Sequence, residues 1–308
     1  MRALLVVNPC ATTTTTGTRN VLVSALASDL KLDVAETRHR GHAIELARDA
    51  VRDGFDVLVV LGGDGTVNEV VNGLLSSPPG RAVPALGIVP GGGTNVFPRA
   101  LGLPREPVEA TAVLLDALHE GRRRVVGLGM ADDRYFTFCA GLGFDAEVVR
   151  TVEARRRRGR RPTSAMYVRI AVGHFFTATD RRHPTAVLER PGADPVTGLY
   201  LGIVANAAPW TYLGARPVNP CPRASFDLGL DLFALRRLGL ASTLRHVRQI
   251  LNTSGRPPHG RDVVALHDVT RFTLRTHRPL ALHVDGEYLG EREVVTFRSR
   301  PRTLRVVV

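Results

Sequence analysis

Continuous apolar runs and helix-spaced apolar positions alternate through the first 120 residues. Residues 3–7, 57–61 and 86–89 are short, β-branched runs of the kind that fill buried parallel strands. Residues 31–37 read as a further strand. Ala43, Ile44, Ala47 and Val51 recur at helical spacing, as do Val67, Val70, Val71 and Leu74, so each set predicts a helix with one buried face. A helix running to Leu30 and another over 107–120 complete the series. Strand–helix units of about 25–30 residues predict a parallel sheet, and ligands of such sheets gather at the carboxyl ends of the strands.

Beyond Arg122 the period shortens. Segments at 124–128, 135–139, 184–189, 200–205, 231–234 and 262–275 predict an antiparallel second domain of the β-sandwich kind. The expected division is an α/β domain over 1–122 and a β-rich domain over 123–295, with strand-like 296–308 able to return to the first. One helix is expected within the second domain, over 162–176.

Composition narrows the classes. The 308 residues suit one or two domains, and 44% hydrophobic content supports a core. The net charge of +12 is carried almost wholly by arginine, because Lys31 is the only lysine. Such a balance favours phosphorylated substrates, anionic membrane surfaces or nucleic acid. Cys10, Cys139 and Cys221 lie far apart without metal-ligand spacing, which fits a reduced, cytoplasmic setting. The first strand turns at Asn8-Pro9, unlike a signal peptide, and no run reaches the roughly 18 apolar residues of a span.

Residues 57–74 carry the chemistry. The strand breaks into Gly62-Gly63-Asp64-Gly65, and a helical pattern opens at Thr66, with Glu69 placed to complete a capping box. A strand that passes through glycines into a capped helix presents bare N–H groups and a positive dipole end, which bind phosphate. Asp64 inside that cradle needs a cation, a donor or a hydroxyl to offset it, and Mg²⁺ chelated by nucleotide phosphate is the usual answer. The Gly-Lys-Ser/Thr ending of a P-loop is absent. Asn8, Thr37 and a second glycine loop, Pro90-Gly91-Gly92-Gly93-Thr94-Asn95, stand at other strand ends. Thr12 to Thr16 either offer hydroxyls to phosphate or form a flexible linker.

GGDGTVNEVVNGL resembles the signature of the diacylglycerol kinase catalytic-domain family, which includes bacterial lipid kinases and sphingosine kinases. Its shorter form, GGDGT, is shared with NAD kinases and resembles a phosphofructokinase loop. PGGGTNVFPRALGLP is similar to the family's second motif, with Val96-Phe97 where Asp-Phe is usual. Thr37 with Gly41-His42-Ala43 resembles the family's segment after its second strand, and Cys139 to Asp145, Asn219 to Ala234 and Val284-Asp285-Gly286-Glu287 resemble later family segments in order. The Asn8-Pro9 loop lacks the usual Ser-Gly continuation, and Leu228 stands where glycine is usual.

The resemblance implies an NAD kinase/phosphofructokinase-like α/β domain with a parallel sheet, followed by a mainly antiparallel β-sandwich domain. It implies ATP and Mg²⁺, with Asn8, Thr37, Gly62, Gly63, Asp64, Gly65, Thr66, Asn68, Glu69, Gly92, Gly93, Thr94 and Asn95 on the nucleotide side. Asp227 is the implied ligand of a structural Mg²⁺. Asp285 is the implied general base, Glu287 a nucleotide or second acid–base group, and Asp64 a further catalytic acid. Asp145 either orients a group between the domains or is a first-turn helix acid. The reaction expected is transfer of the γ-phosphate of ATP to a lipid hydroxyl entering between the domains. The alternatives are an NAD kinase and a non-catalytic lipid- or nucleotide-binding relative. Arg155, Arg156, Arg157 and Arg158 with Arg160 and Arg161 form either a solvated loop or a contact with anionic phospholipid. The expectation is a cytoplasmic, peripherally membrane-associated protein without a nucleic-acid partner, with a homodimer left open.

Overall fold

The computed structural model describes residues 1–76, 82–158, 163–177 and 186–308. By internal contacts the chain forms two units, Met1–Val126 with Arg302–Val308, and Gly127–Pro301.

Unit 1 is built from β1 (Arg2–Val7), α1 (Thr16–Asp29), β2 (Lys31–Glu36), α2 (His42–Arg52), β3 (Val57–Gly62), α3 (Asp64–Leu75), β4 (Ala85–Pro90), α4 (Val96–Ala100) and α5 (Pro107–His119). β5 (Arg124–Ala131) leads out of it. Its strands are parallel, in the order β2-β1-β3-β4. Every residue of β3 and β4 is buried, as their unbroken apolar runs require. Leu5, Leu22, Leu26, Val59, Leu61 and Leu114 belong to one core cluster beneath the sheet's crossover helices.

Unit 2 continues with β6 (Arg134–Phe136), β7 (Cys139–Gly143), α6 (Phe144–Arg157), α7 (Ser164–Thr177), β8 (Ala186–Arg190), β9 (Ala193–Leu199), β10 (Leu201–Ala205), β11 (Thr211–Leu213) and β12 (Arg216–Val218). It closes with β13 (Leu230–Leu235), α8 (Leu240–Ile250), β14 (Val263–Val269), β15 (Arg271–Val284) and β16 (Glu287–Val306). Pairing is antiparallel in the order β14-β13-β10-β7-β15-β16, with β8 also on β15. The core is aromatic: Phe136, Phe272 and Phe297 are fully buried, and the last two rings stack at 5.3 Å. The joins between units fall within β5 and β16, because each strand runs on past the change in pattern that the sequence shows. Val306 at the end of β16 pairs in parallel with Leu86 of β4.

Two expectations change. The capping box is not formed: α3 starts at Asp64, two residues early, so Thr66 and Glu69 are interior. The Glu69 carboxylate instead accepts from the N–H groups of Gly41 (2.9 Å) and Ala43 (3.3 Å), satisfying the open start of α2. Arg155, Arg156 and Arg157 are helical, in the last turn of α6, rather than in a loop. Arg160 and Arg161 lie outside the described residues.

Candidate active site

In unit 1 the two glycine loops meet backbone to backbone. The Gly91 N–H donates to the Gly62 carbonyl at 2.7 Å. A Cβ on Gly91 would lie 2.9 Å from both Cα and N of Gly62, and one on Gly92 would lie 2.8 Å from Gly63 Cα. These glycines are required by packing. Gly65 and Gly93 differ: a Cβ at either position meets nothing within 4 Å, and neither has positive φ. Neither packing nor backbone conformation demands glycine there.

Side chains brace the same loops. Asn8 Nδ2 donates to Thr66 Oγ1 at 2.8 Å, while Asn8 Oδ1 accepts from the Cys10 N–H. The Thr13 N–H donates to the Gly91 carbonyl, and Thr15 caps α1, so the threonine run is a folded loop lying against the glycines. Asn95, with φ of 50°, closes its loop by accepting from the Gly92 N–H and donating to the Gly92 carbonyl. Asp64 accepts from the N–H groups of Val96 (2.9 Å) and Phe97 (3.0 Å), the open start of α4. Of the offsets a carboxylate needs in an anion cradle, this structure supplies donors. Thr37, Gly63 and Thr94 are half-buried around these loops, whereas Asn68 is fully buried in α3 and receives the Asn72 side-chain amide at 3.1 Å.

In unit 2, Asp285 and Gly286 form the two-residue turn between β15 and β16, with φ of 48° and 77°. The Asp285 carboxylate is 5% exposed and accepts four hydrogen bonds. Oδ2 takes the Thr137 N–H (2.7 Å) and hydroxyl (2.9 Å); Oδ1 takes the N–H groups of Phe138 (3.0 Å) and Cys139 (3.1 Å). The Asp285 N–H returns a bond to the Cys139 carbonyl. A carboxylate has about four lone-pair sites, so Asp285 has none left for a substrate proton. In this geometry it is a clamp on residues 137–139. Glu287, the next side chain but one, is partly exposed and faces Arg134 at 3.5 Å.

Two residues before Asp285, His283 Nε2 meets Asp145 Oδ2 at 2.9 Å, both side chains buried. Asp145 is therefore a first-turn acid of α6 and an anchor for β15 as well. Asp227 stands on an exposed turn and belongs to no cluster of three His, Cys, Asp or Glu ligands among the described residues. One exposed carboxylate is a poor donor set for a structural Mg²⁺. Neighbouring Asp231 is buried and accepts from His267 Nδ1 and the Asp268 N–H. Arg134 and Thr137 were not singled out from the sequence, and His283, at the head of the Asp-Gly-Glu motif, had no role assigned to it. His283 carried one usable signal, since alternation along a strand places it on the same side as Asp285.

A parallel α/β unit with paired glycine loops, followed in the chain by an antiparallel unit that carries an Asp-Gly-Glu turn, defines a class of two-unit α/β proteins. The family model for the diacylglycerol kinase catalytic domain matches residues 2–130. A protein of Chromohalobacter salexigens named "Probable lipid kinase YegS-like" is 31% identical over 259 residues, covering 83% of this chain and 77% of that one. The diacylglycerol kinase of Staphylococcus carnosus is 26% identical over 275 residues, covering 88% and 83%. A crystal structure described as a diacylglycerol kinase from Bacillus anthracis superposes with a TM-score of 0.71 at 21% identity, over 99% of this chain and 96% of that one. The chain belongs to the diacylglycerol kinase catalytic-domain family.

Proposed function

We propose that the protein is an ATP-dependent lipid kinase, transferring the γ-phosphate of ATP to a lipid hydroxyl. The observation that carries the reading is the pair Gly65 and Gly93. They are the open glycines of two otherwise tightly packed loops, and they mark where backbone can approach a phosphate. The first N–H groups of α3 and its dipole would face that anion. Magnesium would arrive as MgATP, held by the nucleotide's own phosphates, since the Asp64 oxygens are bonded to Val96 and Phe97. When bound, it offsets charge on the transferring phosphoryl group.

The acceptor hydroxyl oxygen attacks the γ-phosphorus, the bond to the β-phosphate oxygen breaks, and ADP leaves. The hydroxyl proton needs an acceptor, and we assign that to Glu287 with Asp285 holding the turn. Arg134 beside it orients the carboxylate. Arg155, Arg156 and Arg158 are proposed to favour an anionic membrane, and α7 supports this with exposed Val168, Val172 and Phe176 at helical spacing.

The test is a radiolabelled ATP assay against a bacterial lipid extract, with NAD as a competing acceptor. Label in a lipid product sustains the reading. Label in NADP supports the NAD kinase alternative, and ATP binding without transfer supports the non-catalytic one.

A further inference from the structure

α8 has its apolar side turned outward. Leu240, Leu244 and Val247 are 50%, 61% and 44% exposed and fall at i, i+4 and i+7, one stripe along the helix. The side that packs inward carries His246, the only fully buried residue of α8. Both its ring nitrogens lack a partner in the structure. A helix folded for a core alone would show the opposite arrangement.

The surrounding charge is predominantly positive; the nearest acid, Asp262, stands 3.9 Å from Arg237 and leaves the other arginines to set the sign. Residues 236–261 contain Arg236, Arg237, Arg245, Arg248, Arg256 and Arg261 and no aspartate or glutamate. All six are exposed. Arg248 stands one residue beyond Val247, on the flank of the stripe. A short helix with an apolar stripe and a cationic border lies flat in the headgroup region of a bilayer.

We propose that α8 docks the protein on an anionic membrane surface, with Leu240, Leu244 and Val247 entering the boundary and the arginines pairing with phosphate headgroups. The choice of a lipid surface rests on the lipid-kinase reading above; the stripe and its charge do not. A second copy of this chain is a poor occupant, because two such faces would oppose arginine to arginine. Nucleic acid would leave the apolar stripe without a partner.

The experiment is vesicle sedimentation of the full chain, using phosphatidylcholine with and without phosphatidylglycerol, for the wild type, Leu244→Asp, Leu240→Ala and Arg245→Gln/Arg248→Gln. Leu244 is exposed, so the variant should keep its circular dichroism spectrum and melting temperature. The expected result is a loss of about tenfold or more in vesicle affinity for Leu244→Asp, a smaller loss for Leu240→Ala, and a flattened salt dependence for the double arginine variant. Folded Leu244→Asp sedimenting like wild type overturns the proposal. So does size-exclusion evidence that the wild type self-associates through this stripe and binds no vesicles. Phosphorylation of detergent-dispersed lipid, measured in parallel, separates the two readings: vesicle binding without it sinks the kinase assignment and leaves the docking surface standing.

Discussion

Asp64 and Asp285 each lie just after a strand and precede a glycine, yet the structure uses them differently. Asp64 is half-buried and bonds two N–H groups at the start of one short helix, beside an open glycine. Asp285 is buried and bonds four donors from three consecutive residues. The first region keeps space beside its polar groups. The second spends its acid on internal order and presents the neighbouring Glu287. A motif acid is thus chemically available only to the extent that local donors leave it so.

The largest expected effect is on Glu287. Glu287→Gln removes the proton acceptor, and kcat should fall by about 10²- to 10⁴-fold. Its ion pair with Arg134 is not deeply buried, so stability should shift by under about 1 kcal/mol. Steady-state kinetics with urea unfolding checks both, and unchanged kcat would return the base role to another group.

Asp285→Asn should behave in the opposite sense. It sets an amide NH₂ against backbone N–H donors, leaving buried groups unpaired, at a cost of about 2–4 kcal/mol. A variant as stable as wild type would show that the clamp does not matter.

Gly91→Ala places a methyl 2.9 Å from the Gly62 backbone. The resulting strain should cost about 1–3 kcal/mol and lower nucleotide affinity through loop displacement. Calorimetry with and without ATP measures both.

The smallest effect concerns His246. Burial, and then Arg245, lower its pKa below the usual 6.5. The unfolded chain therefore binds more protons below that value, so stability is full above it and declines as pH falls through about 6.5. His246→Leu should flatten the melting temperature between about pH 7.5 and 5.5. An equal slope in both proteins would assign the decline to other groups.

Much of unit 1 was legible because its signals are local. Residues 57–61 announce a buried strand, and Gly62 to Gly65 announce the turn from that strand into a helix. What was not legible depends on distant partners. The donors that saturate Asp285 come from residues 137–139, and Glu69 serves α2 rather than its own helix. α8 shows why period alone misleads: Leu240, Leu244 and Val247 have the spacing of a core face, and only their exposure shows that they point outward. The spacing of Arg155 to Arg158 likewise did not distinguish a loop from the end of α6.

The central claim is that the open glycines admit nucleotide phosphate. Its most direct test is ATP affinity of Gly65→Val by isothermal titration, paired with thermal unfolding without nucleotide. A Cβ at Gly65 meets nothing within 4 Å, and valine is no worse a helix former than glycine, so the melting temperature should stay near the wild-type value. ATP affinity should fall by at least about tenfold, equivalent to 1.4 kcal/mol. Wild-type affinity in the folded variant would contradict the claim and place the phosphates elsewhere.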